Sequence, residues 1–184
     1  AVAVKWFDNL LSRTVETVED HYRKFRISDA LMSIYKLFWD DYCSWYLELV
    51  KPAYGSAVDG ATYKATLGFF EKLLKLIHPV MPFITEELWQ AMEERSDGET
   101  IMFQRTPEAG TYDPAFLEAF DLVRESVVSV RGIRAQKQIS PKQSLELFVD
   151  GVLPEELLPV LMKVANLSAV KSGKAEGAAV SFIC

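Results

Sequence analysis

Polar residues between positions 28 and 51 recur every three or four residues. This spacing places them on one narrow stripe of a helix. Apolar lines flank the stripe on both sides, one through Ile34 and Phe38 and the other through Tyr35 and Trp39. We therefore expect a helix that other helices surround, with only the stripe facing water and the aromatic residues mainly in the core. The stripe consists of Asp29, Ser33, Lys36, Asp40, Ser44, Glu48 and Lys51.

The same helical spacing of apolar residues predicts four further helices. They cover about residues 2–23, a segment through residues 66–77, a segment that starts at Pro82 and ends before Asp97, and about residues 114–138. Prolines in the first turn support the starts at Pro82 and Pro114, and Asp113 is a suitable cap for the last helix. Residues 97–114 are predicted to be irregular, with Ile101, Met102 and Phe103 as a short apolar anchor.

The pattern changes after Pro141. Apolar residues at positions 145, 147 and 149 alternate with Glu146 and Phe148, which predicts a strand. A short helix at residues 154–166, strands at 168–171 and 179–183, and a turn at 172–177 complete this part. The predicted fold is mainly α, with a helical domain at residues 1–140 and a small C-terminal α/β appendage at residues 141–184.

Composition agrees with a globular chain that buries a core, since 49% of its 184 residues are hydrophobic. A net charge of −6 argues against generic nucleic-acid binding but leaves room for a local basic patch. No apolar run of about 18 residues and no leader pattern occur, so we expect no membrane span, no signal peptide and a cytoplasmic location. The first residue is Ala1, which suggests a piece of a longer polypeptide.

The histidines and cysteines show no pattern typical of a metal site or a disulfide framework. Cys43 lies on an apolar line of a predicted helix and Cys184 is the last residue, so both are expected to be thiols. His21 and His78 are far apart and have no partners at metal-ligand spacing. We therefore expect no metal ion and no cofactor in this chain.

Four segments together resemble the anticodon-binding region of class I aminoacyl-tRNA synthetases, the valyl-tRNA synthetase family above all. The run His-Pro-Val-Met-Pro-Phe-Ile-Thr-Glu-Glu-Leu-Trp at residues 78–89 resembles the valyl, isoleucyl and leucyl families. The run Trp-Asp-Asp-Tyr-Cys-Ser-Trp-Tyr-Leu-Glu-Leu-Val-Lys-Pro at residues 39–52 is nearer to the valyl family. The other two segments are Phe-Arg-Ile-Ser-Asp-Ala at 25–30 and an arginine-containing stretch at 130–141 that ends in Ile-Ser-Pro. The isoleucyl family stays a close alternative.

The resemblance implies the helical anticodon-binding bundle of these synthetases and a valine-accepting tRNA as partner. The families' ATP-handling signatures, His-Ile-Gly-His and Lys-Met-Ser-Lys-Ser, do not occur in this sequence. The resemblance therefore implies no catalytic residue here. ATP and magnesium are expected to serve a separate catalytic domain of the parent ligase, which is a further partner together with a C-terminal arm.

With this family in view, the basic and aromatic residues at the end of the first helix are the leading tRNA-binding candidates. Unpaired anticodon bases are held by stacking on aromatic or guanidinium surfaces, and cations bind their phosphates. The candidates are Arg23, Lys24, Phe25 and Arg26, together with Lys36 on the polar stripe. The alternative is ordinary helix-end charge, with Phe25 as a plug of the core.

A second candidate group lies on the fifth predicted helix. Arg124, Arg131, Arg134 and Lys137 follow one another at spacings of seven, three and three, and we interpret them as a basic face opposite the valine line. This face could bind tRNA phosphates, or it could be a solvated surface that pairs with nearby carboxylates.

A function of another class also fits the acidity and the aromatic content. The chain would then be a helical domain that binds other proteins instead of RNA, through Phe83, Trp89 or Phe103.

Overall fold

The computed structural model describes residues 1–174 and 179–183, and the fold is mainly helical with one small sheet. This agrees with the predicted fold class. In chain order the elements are α1 (Val2–Arg23), α2 (Ile27–Lys36), a π-helix (Leu37–Tyr46), α3 (Leu47–Val50), α4 (Gly60–Ile77), α5 (Pro82–Met92), a 3₁₀ turn (Ile101–Phe103), α6 (Pro114–Gln136), β1 (Leu145–Val149), a second 3₁₀ turn (Glu155–Leu157), α7 (Leu158–Ala165) and β2 (Leu167–Ser172).

By packing, the chain divides into two compact units, residues 3–112 and the residues from Asp113 onward. The second unit contains α6 as well as the strands and α7. The predicted boundary after residue 140 followed the change from helix to strand, whereas the packing division falls before α6. The predicted domains themselves stay a prediction.

The core of the first unit centres on Phe7 of α1. Its ring lies 5.0 Å from the rings of Tyr46 and Phe69 and 5.3 Å from that of Tyr42, measured between centroids. The Tyr42 hydroxyl donates a 3.0 Å hydrogen bond to the carbonyl of Thr66, and the Tyr46 hydroxyl shares one of 2.8 Å with the Thr66 hydroxyl. Burial raises the pKa of both tyrosines. Aromatic packing with satisfied hydroxyls therefore holds α1, the π-helix and α4 together.

The helix predicted over residues 28–50 forms, but it is not α-helical throughout. Ten residues, Leu37–Tyr46, form a π-helix, which is unusually long because π segments are mostly single-turn bulges. The buried positions change spacing there, from Ile34 to Leu37 and then five residues on to Tyr42.

One of the two predicted apolar lines is exposed over its first half. Met32, Tyr35 and Trp39 face solvent, so the prediction that only a polar stripe is wet was wrong. Tyr46 is buried as its place on this line predicts, whereas Tyr42 belongs to neither line and enters the core five residues after Leu37, in the wider turn of the π-helix.

Capping chemistry sets several helix starts. Asp59 accepts a hydrogen bond from the backbone N–H of Thr62 at 2.9 Å and so caps α4. The carboxylate of Asp113 accepts from the N–H of Phe116 at 3.1 Å, and Pro114 occupies the first turn of α6, as predicted.

In the second unit, α6 buries the predicted apolar face and the strands pair in parallel. The buried residues of this face are Phe116, Phe120, Val123, Val127 and Val130. β1 pairs with β2, with Leu147 opposite Val170 and Val149 opposite Ser172. Parallel strands need a long connection, and α7 with its preceding turn provides it.

The predicted strand at residues 179–183 does not form, since these described residues have no regular secondary structure. Half of the predicted turn at 172–177, residues 175–177, lies outside the described residues, and Ser172 is the last residue of β2. The sheet therefore has two described strands, and alternation alone over-predicted a third.

No helix among the described residues has both the length and the apolar character needed to cross a membrane.

Candidate nucleic-acid interface

The junction between α1 and α2 is a tight reversal closed by two backbone hydrogen bonds. The N–H of Arg26 donates to the carbonyl of His21 at 2.8 Å, and the N–H of Phe25 donates to that of Tyr22 at 3.0 Å. This pair of bonds is the Schellman arrangement of a helix C-terminus, with Lys24 as the C-cap residue. Phe25 therefore occupies the position that usually carries glycine.

The backbone of Phe25 is left-handed, with φ of 57°. This conformation is strained for a bulky residue, because its Cβ approaches the following carbonyl oxygen. The residue is nevertheless 88% exposed, so its ring does not plug the core. A strained backbone that presents an exposed aromatic ring is a feature that packing does not explain, and such outliers cluster at functional sites.

Basic residues flank Phe25 in the chain. Arg23 lies 3.8 Å from Glu19, and Lys24 lies 2.6 Å from Asp20, both in exposed pairs one helical turn apart. The hydrogen bond from Lys24 lowers the pKa of Asp20. Exposed pairs of this kind are weak and exchange readily with other anions.

Arg26 makes no side-chain hydrogen bond or ion pair with any residue in the described part of the chain, although it is the N-cap residue of α2. The same holds for Lys36, which is exposed at the end of α2. Both cations are therefore available to a phosphate without breaking an internal contact.

Two aromatic residues that we expected in the core lie exposed beside Lys36. The rings of Tyr35 and Trp39 are stacked, with centroids 6.4 Å apart and an angle of 11° between their planes. From the N-cap Arg26 to Tyr35 the helix rises about 14 Å. We expected this pair in the core because it lies on the second apolar line, but in α2 only the side that carries Ala30 and Ile34 is buried.

The basic residues of α6 lie in the second unit and do not form the predicted face. Arg124 is mostly buried and lies 3.6 Å from Asp121, while Arg131 is exposed and donates to the carbonyl of Val164 at 3.4 Å. Lys137 is exposed at the C-cap of α6.

Arg134 contradicts the prediction of an exposed basic face, because it is only 6% exposed. Its Nη1 donates to the carbonyls of Ser140 and Gln143, at 3.1 and 2.7 Å, and its Nη2 donates to those of Ala165 and Asn166, at 3.1 and 2.9 Å. The last two carbonyls end α7, where the helix dipole favours a cation. Arg134 is a structural residue in this fold, and it cannot meet a phosphate without leaving these carbonyls.

The sequence spacing between Arg134 and the buried valines explains its burial. Arg134 follows Val130 by four residues and Val127 by seven, so it lies on the valine face and not opposite to it. The interpretation as one exposed basic face was therefore wrong at this position.

Trp89, a predicted docking residue, is buried in the first unit. Its Nε1 donates to Glu71 at 3.1 Å, and the Arg95 guanidinium lies over its ring. Phe83 and Phe103 are exposed, as that alternative requires.

Comparison with known proteins places the chain in a family. The family described as the anticodon-binding domain of tRNA ligase matches residues 4–149. A valine–tRNA ligase of Parabacteroides distasonis is 51% identical over the whole chain, one of Bacteroides fragilis is 50% identical over 99% of it, and one of Christiangramia forsetii is 41% identical over 96%. The chain spans about one fifth of the length of these relatives, 21% in each case. The predicted family resemblance is confirmed, and the chain belongs to the family of anticodon-binding domains of tRNA ligases.

Proposed function

We propose that this chain binds a valine-accepting tRNA by its anticodon and positions it for the catalytic part of a valine–tRNA ligase. The observation that carries the proposal is the exposed, left-handed Phe25 between Arg23, Lys24 and Arg26. A ring fixed on a rigid turn is a stacking surface for an unpaired base, and the neighbouring cations suit its phosphates.

Valine is the amino acid that the names of the similar ligases support. The isoleucine ligases are the alternative, because the segments at 78–89 and 130–141 resemble both. Charging of tRNA with valine, the use of ATP and magnesium, and a cytoplasmic location belong to the proposal for the whole protein.

Exchange of anticodon bases tests this function directly. The 184-residue chain is titrated with valine tRNA transcripts in which the middle or the third anticodon base is replaced, and with an isoleucine tRNA transcript. We expect the unmodified valine transcript to bind most tightly, by about tenfold per exchanged base, because hydrogen bonds to the edges of unpaired bases read their identity and an unsatisfied buried partner costs about 1–3 kcal/mol. Equal affinity for all transcripts contradicts anticodon reading.

The variant Arg26→Ala tests whether this residue binds tRNA or stabilises the fold. Arg26→Ala removes a cation that has no internal partner among the described residues, and we expect weaker tRNA binding with unchanged helix content by circular dichroism. Loss of helix content instead assigns the residue a structural role.

A further inference from the structure

Helix α5 exposes large apolar side chains outside its buried face. Thr85 and Trp89 face the core of the first unit and are buried. Phe83, Ile84 and Leu88 lie outside that buried face among polar residues, and Phe83 is 90% exposed. Large apolar side chains that cluster on a protein surface mark candidate interaction sites. Within the described residues, only one side of α5 is covered.

The 3₁₀ turn after α5 carries two more exposed apolar residues. Glu86 of α5 accepts hydrogen bonds from the Thr100 hydroxyl, at 2.5 Å, and from the N–H of Ile101, at 3.1 Å. Ile101 packs against Trp89 in the core. This anchoring leaves Met102 exposed and Phe103 80% exposed.

We call the exposed residues of α5 and this turn the α5 surface. It consists of Phe83, Ile84, Leu88, Met102 and Phe103. Because the turn is anchored by hydrogen bonds and a buried side chain, these residues are presented by a fixed framework. Exposed apolar surface that regular secondary structure presents in this way is typical of a protein interface.

The charge near the α5 surface favours a protein partner over RNA. Residues 80–105, which carry the α5 surface, contain six acidic residues and only two arginines. Phosphates bind where cations are concentrated, so this segment repels a nucleic acid. The α5 surface is thus a poor extension of the Phe25 site.

The relatives indicate which protein covers the surface. The chain corresponds to 21% of their length, so roughly four fifths of a protein of that size lies outside it. We infer that the α5 surface is the docking site for the remainder of the full-length ligase, and that this contact fixes the anticodon-binding domain relative to the rest. The partner surface is apolar, with a basic rim opposite Glu87. This inference depends on the chain being part of a protein of the relatives' length and is independent of tRNA binding at Phe25.

Side-chain footprinting tests the contact without any substitution. Hydroxyl-radical modification of Phe83, Met102 and Phe103 is compared between the 184-residue chain and the full-length protein, both without tRNA and normalised to a dosimeter peptide. We expect a several-fold lower rate at these residues in the full-length protein. Unchanged rates overturn the inference. Protection in the 184-residue chain that increases with its concentration also overturns it, because a second copy is then the occupant.

A matched pair of variants adds an energetic readout. Phe83→Glu should leave the melting temperature of the 184-residue chain unchanged, since this side chain is exposed there, and lower that of the full-length protein by several degrees. Tyr54→Glu, also at a fully exposed aromatic residue of the first unit, should change neither. Equal melting temperatures of full-length wild type and Phe83→Glu contradict the docking site. Because Phe83→Glu should retain wild-type tRNA affinity in the 184-residue chain, a failure of the tRNA proposal is recognised separately.

Discussion

At the scale of single residues, Phe25 and Arg134 show how position decides what a side chain does. Phe25 follows a helix end at a position that favours glycine, yet it exposes its ring. Arg134 carries a charge, yet it lies buried among four carbonyl oxygens. The sequence identified Phe25 as a candidate from its basic neighbours together with the family resemblance. It gave the wrong role for Arg134, whose hydrogen-bond partners are up to 32 residues away.

Phe25→Gly should make the chain more stable and less able to bind tRNA. Glycine removes the left-handed strain, which raises the free energy of unfolding by about 1 kcal/mol. Loss of a stacking ring lowers tRNA affinity by about tenfold. Denaturant unfolding and tRNA titration measure the two effects, and Phe25→Tyr serves as the control that keeps both properties. A Phe25→Gly chain that is less stable contradicts the assignment, because the ring would then contribute packing.

Arg134→Met should lower the free energy of unfolding by about 2–4 kcal/mol, because buried carbonyls lose their donor. The matched control is Arg131→Met, on the same helix but exposed, with an expected change within about 0.5 kcal/mol. Urea unfolding followed by circular dichroism measures both. A stable Arg134→Met chain with impaired tRNA binding is the result that restores the original RNA-binding interpretation.

At the scale of elements, local signals located most helices because caps and prolines act on neighbouring residues. Asp113 with Pro114 marked the start of α6, and Pro82 marked that of α5. The π-helix gave no such signal, since its residues also suit an α-helix. Its wider turn brings Tyr42 into the core five residues after Leu37.

The contact of α5 with α4 and with the 3₁₀ turn should weaken in acid. Hydrogen bonds from Thr100 and then Gln90 lower the pKa of Glu86 from 4.5. Burial alone would raise the pKa of Glu71, but hydrogen bonds from Lys75 and Trp89 outweigh it and the net pKa is lowered. Groups with a lowered folded pKa contribute stability that is complete above the unfolded value of 4.5 and is lost as the pH falls through the folded value.

The melting temperature should therefore fall below about pH 4.5, and the fall should be shallower in Glu86→Gln, which lacks the titrating group. Glu87→Gln is the matched control, because Glu87 is exposed and makes no hydrogen bond or ion pair with the described residues. Calorimetry from pH 3 to pH 7 gives the profiles. If Glu86→Gln keeps the wild-type profile, Glu86 does not contribute and the acid dependence lies in other carboxylates such as Glu71.

At the scale of the whole molecule, an acidic chain binds a polyanion only through a local concentration of cations. The net charge of −6 repels the tRNA phosphates at long range, whereas the local cluster of Arg23, Lys24 and Arg26 attracts them. Affinity for tRNA should thus fall steeply with salt. In a plot of the logarithm of the binding constant against the logarithm of the salt concentration, each contacted phosphate of a single-stranded loop contributes a slope of about −0.7.

Arg26→Ala should reduce this salt slope by about 0.7, the share of one phosphate contact. Lys64→Ala, at an exposed lysine of α4 outside the cluster, should leave the slope unchanged. Fluorescence titrations between 50 and 200 mM salt give both slopes, in a range where phosphate-dependent affinity changes strongly. Identical slopes for wild type and Arg26→Ala are inconsistent with a phosphate at this residue.

The sequence by itself determined where the chain is helical, where α5 and α6 begin, the strand at Leu145–Val149 and the cluster around Phe25, because these depend on residues near one another in the chain. It also carried the family resemblance that the comparison confirms. Only the tertiary structure decided which apolar residues are covered. Tyr35 and Trp39 are exposed, Trp89 and Arg134 are buried, and the outer side of α5 is uncovered by the described chain. Burial depends on groups that are distant in sequence, so no local pattern can fix it.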